Sequence, residues 1–424
     1  MTPLTRPIAD TSDTATVRKP ELRESARILP GPGATKPGTG PQVLLSVHEE
    51  FEPLKAVWQQ LERTGDCTPF QTYAWLSAWQ RHIGTKLGVR LAIVVGWDSS
   101  GRALFILPLG IQNGWFCHRL SWLGGDLCDY QAPLLSRDFP KRVGVEGFPA
   151  LWAQARALLP THHIVSLDRM PEHVGTQPNP FMALEGNRFH ASFAHKTVLK
   201  ADWNSYYGEK RSSASKKRDK QKRRKTEELG SVSLVTPSTA DARLRALDVL
   251  MAQKSTSFAR MGVANLFDKP GYRAFYRDLA TDADAADMIH VCYLDVGGKV
   301  AAANWGISFG GRYSYVLASY DENAETAKYG PGVIQLMELM AHATATGHSE
   351  FDFTIGDEAY KDHWCEVEVP LHDHKEPSSL MGWMGLTPEI AHALVKRFIK
   401  QSPVLWRWFT RLRAAAGPLR AAGA

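Results

Sequence analysis

Apolar and polar positions along this chain switch between helical and extended spacing, and they do so twice in the same order. In the first half, helical spacing over Phe51–Thr64 and Gln71–Ile83 precedes an extended apolar run, Arg90-Leu-Ala-Ile-Val-Val-Gly96. A tight turn at Asp98-Ser-Ser-Gly101 leads into Ala103-Leu-Phe-Ile-Leu-Pro-Leu109, and a third strand ends at Leu120-Ser-Trp-Leu123. In the second half, helices over Ala240–Ser257 and Gly271–Thr281 precede His290-Val-Cys-Tyr-Leu294. A Gly297-Gly298 turn then joins Val300-Ala-Ala-Ala-Asn-Trp305 to Arg312-Tyr-Ser-Tyr-Val-Leu-Ala318. Each half continues with a helix (Glu146–Leu158; Val333–Thr346) and a returning strand (His163–Leu167; Phe351–Phe353). The pattern predicts an α+β layout that occurs twice, against the alternative of two small mixed domains alike by chance. A helix over roughly Asp202–Leu229, with Gly230 as its C-cap, joins the halves.

A chain of 424 residues exceeds one ordinary core, which matches two domains, 43–200 and 201–375, with tails at 1–42 and 376–424. The Thr-, Pro- and Gly-rich stretch 1–42 lacks the apolar segment of a signal peptide and reads as a disordered tail. No apolar run approaches the roughly 18 residues that span a bilayer. The five cysteines, at 67, 117, 128, 292 and 365, form no CxxC pair, so reduced thiols are expected and zinc is not. The lone HxH of His372 and His374 reads more readily as a solvated loop than as a metal site.

The net charge of +6 is concentrated. Residues 209–225 hold ten Lys or Arg against two acids, a local +8, which leaves about −2 for the rest. No aromatic residues interleave between Lys210 and Lys225, which counts against DNA binding and leaves a solvated face or an anionic donor as readings. From Leu386 onward, seven Lys or Arg and one acid interleave with Phe398, Leu405, Trp406, Trp408, Phe409 and Leu412. That segment reads as a basic amphipathic helix, lying on a membrane face or a partner, or docked on its own domain. Near the end of the second half, Gly330-Pro331-Gly332 opens a helix without side-chain clutter. Free backbone N–H groups there suit a phosphate or pyrophosphate, although Pro331 removes one of them.

Several segments together resemble the CelD/BcsL-type acetyltransferases, a branch of the GNAT superfamily related in architecture to the FemAB peptidoglycan aminoacyltransferases. They are Thr68-Pro-Phe-Gln-Thr-Tyr-Ala-Trp75 with Trp79; Trp122-Leu-Gly-Gly-Asp126 with Asp129-Tyr130; and Lys216-Lys-Arg218 through Arg223-Arg224 to Leu229-Gly230. Ala318-Ser-Tyr-Asp321, Gly330-Pro-Gly332, Phe351-Asp-Phe353, Gly356 and Tyr360-Lys361 complete the set through Trp364. The resemblance implies two tandem GNAT-like folds and an acyl-CoA donor such as acetyl-CoA, with transfer to an amine or hydroxyl. It also implies cytoplasmic chemistry associated with cellulose or other exopolysaccharide production, to which the basic tail adds a position peripheral to the inner membrane. The superfamily's pyrophosphate loop, Arg/Gln-x-x-Gly-x-Gly/Ala, is replaced here by Lys328-Tyr-Gly-Pro-Gly332. FemAB relatives use aminoacyl-tRNA, so a tRNA donor is the alternative, and a non-catalytic scaffold for a polysaccharide synthase is another.

Acyl transfer from a thioester needs N–H groups on the carbonyl, a base for the nucleophile and an acid for the thiolate. The donor is expected at Gly330, Gly332 and Val333, with Lys361 as a nearby cation. Tyr360 is the candidate acid or orienting hydroxyl, with a core tyrosine as the alternative. Asp352 alternates with two aromatics and so faces away from them, as a base or substrate ligand or as a surface or capping carboxylate. Asp126, Asp129 and Tyr130, together with Asp321, are the candidate acceptor contacts; turn chemistry is the competing reading for the aspartates. No metal is expected.

Overall fold

The computed structural model describes residues 43–114, 117–387 and 402, so the expected tail at 1–42 and nearly all of the expected basic tail lie outside the described residues. The second half builds a seven-stranded sheet. Its order is Val232–Val235, Ile289–Val296, Lys299–Phe309, Arg312–Tyr320, Glu350–Ile355, Ala194–Val198 and Val367–Val369. Neighbours are antiparallel except Arg312–Tyr320 and Glu350–Ile355, which run parallel. A parallel pair needs a crossover, and the helix Pro331–Ala345 supplies it. The first half builds a four-stranded and a six-stranded sheet. Two long extended runs pass through both sheets and break at Ala92 and at Pro108, which has no N–H to give a ladder. In the six-stranded sheet His118–Trp122 and Ile164–Pro171 form the corresponding parallel pair, crossed over by Gly144–Leu158.

The seven-stranded and the six-stranded sheets are each completed by a strand from the other half of the sequence. Ala194–Val198 lies between Glu350–Ile355 and Val367–Val369. Leu371–Pro377 lies between Ile164–Pro171 and Arg188–Phe189. Chain position places these strands on either side of residue 200, whereas hydrogen bonding places each with the opposite unit. A two-residue period specifies an extended run and its buried face, but not the partner across the ladder. His372 and His374 sit on this second exchanged strand and not in a solvated loop. His374 is buried against Asn187, and His372 pairs with Glu172 at 3.1 Å.

The units share a core. Trp75 of the first half meets Phe275 edge-on at 5.0 Å and Trp305 at 5.7 Å, and all three are fully buried. Burying a large aromatic contributes roughly 2–3 kcal/mol relative to exposure, so this seam alone resists separation of the units.

The joining helix differs from expectation. It is two helices, Trp203–Lys210 and Ser213–Glu227, interrupted where Ser212 caps the second by accepting from Ser215 N at 3.2 Å. Gly230 is not a left-handed C-cap. Its φ is 148°, and a Cβ there would come within 2.6 Å of Gly297 Cα, so the close backbone approach excludes a side chain.

Candidate functional site

The parallel pair of the second unit is short. Arg312, Tyr313 and Ser314 align with Glu350, Phe351 and Asp352, and the strands then part. Across the other edge, Trp305 pairs with Leu317 while Gly306 pairs with Tyr315, so Val316 is an extra, bulged residue. A bulge bends its strand and increases the local twist, which opens a wedge between residues 315–320 and 353–355. Beyond Ser314 and Asp352 the two strands share no ladder pairing, and the carbonyls of Ala318, Thr354 and Ile355 take side-chain donors from Lys254 and Lys361 instead.

The strand ends at Asp321, whose carboxylate accepts from Asn323 N at 3.0 Å in a tight turn. The helix after it begins at Gly330, held at φ 70° and ψ 60° with no side-chain cap. Val333 N returns to Gly330 O at 3.1 Å, Pro331 has no N–H, and no backbone carbonyl accepts from Gly332 N. The Lys222 ammonium lies 3.2 Å from where a Cβ on Gly330 would stand. Arg223 fixes that basic helix in place by pairing with Glu338 of the crossover helix. A helix N-terminus with a lysine over it favours an anion on two counts, the macrodipole and a full positive charge.

On the other face of the sheet, around Asp352 of the neighbouring strand, lies a buried charged cluster that bridges the units. Asp352 is completely buried, and the Tyr130 hydroxyl donates to its two oxygens at 3.0 and 2.9 Å. Thr354 N donates to Asp352 Oδ1 at 2.8 Å, and Arg312 stands 3.5 Å from Oδ2. Arg312 also holds Glu350 at 2.6 Å, which pairs with Lys196 of the exchanged strand at 2.7 Å. Burial raises the Asp352 carboxyl above the usual range against the pull of Arg312. Asp129 lies against the Thr354 hydroxyl and near Arg169; burial dominates and pushes it up to about 6, with the Asp352 charge adding to the rise. Tyr130 keeps its proton, raised by burial and by Asp352.

Two non-glycine residues among those described have positive φ, Arg169 at 55° and Thr354 at 59°, and both adjoin this cluster. For a β-branched residue this is a true outlier, and such positions cost about 1–3 kcal/mol each unless the surroundings over-determine them. Here they do. Arg169 N donates to Asp373 at 3.0 Å and its carbonyl accepts from Gln131 N at 3.1 Å. Lys361, only 2% exposed, donates to the carbonyls of Thr354, Ile355 and Gly356 at 3.1–3.2 Å and pairs with Glu358 at 3.0 Å.

The structure therefore brings Asp129, Tyr130, Asp352 and Lys361 together and leaves Gly330, Gly332 and Val333 as a separate turn. Lys361, expected at that turn, has partners only on its own strand end and on Glu358; it holds the strained backbone, because its four contacts saturate the ammonium. Lys222 supplies the cation at the helix start. Asp126 is exposed, pairing with Lys269 at 3.1 Å and approached by Arg169 at 4.0 Å. Tyr360 is 39% exposed and meets the Phe353 ring edge-on at 6.0 Å. Burial, then Glu358 and Cys365, raise its pKa, so the phenol stays protonated. Sequence reasoning missed Lys222, Arg312, Arg169 and the Val316 bulge. Lys222 is one of ten neighbouring cations with nothing to single it out, and the bulge has no composition signal. Arg312, directly after the Gly310-Gly311 turn, is the one with a local cue.

The model of the acetyltransferase (GNAT) domain family matches residues 213–362, about a third of the chain, from the basic helix to the short turn after Tyr360. Among solved structures, FemX superposes with a TM-score of 0.52 at 9% identity, covering 76% of this chain and 96% of that one. The C-terminal DUF2156 domain of a putative lysylphosphatidylglycerol synthetase from Agrobacterium fabrum gives 0.46 at 12% identity, over 82% and 97%. A tandem GNAT protein from the clavulanic acid biosynthesis pathway gives 0.44 at 14%, over 80% and 100%. No curated protein matches the chain. The sheet order, the parallel pair in each half, the family match and the FemX superposition define the class: two tandem GNAT-like units, the second an acetyltransferase-type domain. Among the described residues no helix is long and apolar enough to cross a membrane.

Proposed function

We propose that this protein is an acyl-CoA-dependent acyltransferase of the CelD/BcsL type. Its donor lies in the wedge of the second unit and its acceptor is an amine or hydroxyl of a sugar or polysaccharide precursor. The observation that carries the reading is the wedge itself: a bulged strand that diverges from its parallel neighbour and leads into a helix whose bare first turn lies under Lys222. In this reading the pyrophosphate of the donor sits at Gly332 and Val333 beside Lys222, and strand-edge N–H groups near Val316 polarise the thioester carbonyl. Asp129, with its carboxyl raised to about 6, takes the acceptor's proton. Asp352 and Tyr130 hold Asp129 and Thr354 in position, Tyr360 protonates the departing thiolate, and Asp126 and Asp321 flank the acceptor path. Acetyl-CoA is the donor expected first, in a cytoplasmic setting peripheral to the inner membrane.

Isothermal titration with coenzyme A and acetyl-CoA tests the donor half; absence of heat at millimolar ligand removes it. Lys217 and Lys220 are exposed on the basic helix with no carboxylate partner among the described residues, and this favours aminoacyl-tRNA as the second reading. Acyl transfer supported by charged tRNA and not by acyl-CoA would select it.

A further inference from the structure

Residues 380–387 form a helix that follows the exchanged strand. Ser379 caps it, its hydroxyl accepting from Gly382 N at 3.1 Å. One face is made of small residues and seats the helix on the first unit. A Cβ on Gly382 would come within 1.9 Å of His163 O, and one on Gly385 within 3.0 Å of Cys117 Sγ. Leu386 is buried on the same side. The other face is apolar and bare: Leu380 is 77% exposed, Trp383 60%, Met384 62% and Met381 41%. Four large apolar side chains at i, i+1, i+3 and i+4 form a continuous stripe and not scattered exposure, which marks a contact surface. The two glycines hold the helix so close to the unit that the stripe has a fixed direction.

What covers the stripe is indicated by the chain that leaves it. Residues 388–424 carry seven Lys or Arg and one acid, and among them Phe398, Trp406, Trp408 and Phe409. We propose that the Leu380–Met384 face is an interfacial membrane contact that lies on an anionic phospholipid surface, with the following basic segment supplying the electrostatic attraction. Leu and Met enter the acyl boundary, Trp383 sits at the headgroup level, and the adjacent cations neutralise lipid charge. Lys and Arg near an anionic surface are drawn to it by a field that salt screens, so a net +6 beside an apolar stripe suffices for reversible binding that weakens with salt. A protein partner would not require this excess of one sign. The inference does not depend on the acyl-transfer reading.

The test is co-sedimentation of the full-length protein with vesicles of equal phosphatidylglycerol and phosphatidylcholine, and with phosphatidylcholine alone. Binding to the anionic vesicles is expected, at least about tenfold stronger than to the neutral ones and reduced by salt. Trp383→Glu with Met384→Glu should lower it by about tenfold or more, with an unchanged circular dichroism spectrum, because both side chains are exposed. A chain ending at Thr387 should lose the salt dependence. Equal binding by the Trp383→Glu, Met384→Glu variant, or no binding to either vesicle, overturns the proposal. So does a dimer in light scattering that this variant dissociates, since the stripe would then serve a second copy of the chain.

Discussion

The bridge between Tyr130 and Asp352 joins residues 222 positions apart across the two units, and a double-mutant cycle measures it. Tyr130→Phe removes the hydroxyl that donates at 3.0 and 2.9 Å to a carboxylate with no solvent exposure, and leaves the ring in place. A hydrogen bond to a charged group contributes about 1.5–3 kcal/mol, so loss of roughly 2 kcal/mol is expected from the single change. Asp352→Asn keeps the shape but leaves Arg312 with Glu350 alone and should cost a similar amount. Because both changes remove the same bond, the double variant should be more stable than their sum predicts by about 1.5 kcal/mol. The measurement is urea unfolding of the four proteins at pH 8. On acidification below the raised Asp352 pKa the carboxyl becomes neutral and the coupling should fall toward the ~1 kcal/mol of a neutral pair. A coupling at pH 8 within about 0.3 kcal/mol of zero would refute the idea that this contact ties the units together.

Asp129 predicts two opposite pH trends. Its folded pKa, about 6, lies above the ordinary aspartate value of 3.8, so its stability contribution is complete below pH 3.8 and lost as pH rises to 6. Asp129→Asn should therefore stabilise the protein by up to about 3 kcal/mol at pH 8 and by nothing at pH 3.5, read by thermal melts across pH. In turnover, the acid limb of kcat/KM should fall below about pH 6, and Asp129→Asn should abolish that limb along with most activity. Lys222→Ala should weaken coenzyme A binding roughly three- to tenfold in calorimetry and leave the melting temperature unchanged; equal affinity would remove the lysine from the donor site. Lys361→Met should destabilise the chain by about 2–4 kcal/mol in urea titrations, since three carbonyls and Glu358 lose a buried partner, and a merely catalytic lysine would show no such loss.

Much of the fold was legible because its signals are local. Helical and extended periods recur twice in the sequence, and the two units repeat that order. The turn at Gly330 could be anticipated because a left-handed N-cap before a proline is a conformation glycine adopts without penalty. Asp352 could be placed on the face opposite Phe351 and Phe353 because strand side chains alternate. That this face is a buried junction and not a surface was not legible, since the chain that covers it comes from residues near 130. Lys361 shows the converse. Its position six residues beyond the strand end, after a polar loop, suggests a free cation, and only the fold reveals three carbonyls converging on it.

By itself the sequence determined the elements, their order, the bare helix start and the concentration of charge in one segment, all set by backbone sterics and by residues within one or two turns of each other. Tertiary structure alone decided the exchange of Ala194–Val198 and Leu371–Pro377, the Val316 bulge, the seat of Lys222 over Gly330 and the Tyr130–Asp352 bridge. Each of those depends on which distant edge or side chain fills a given space. Ladder hydrogen bonds are alike in every strand, and a lone lysine or tyrosine carries no mark of its partner, so the choice is made only when the whole core closes.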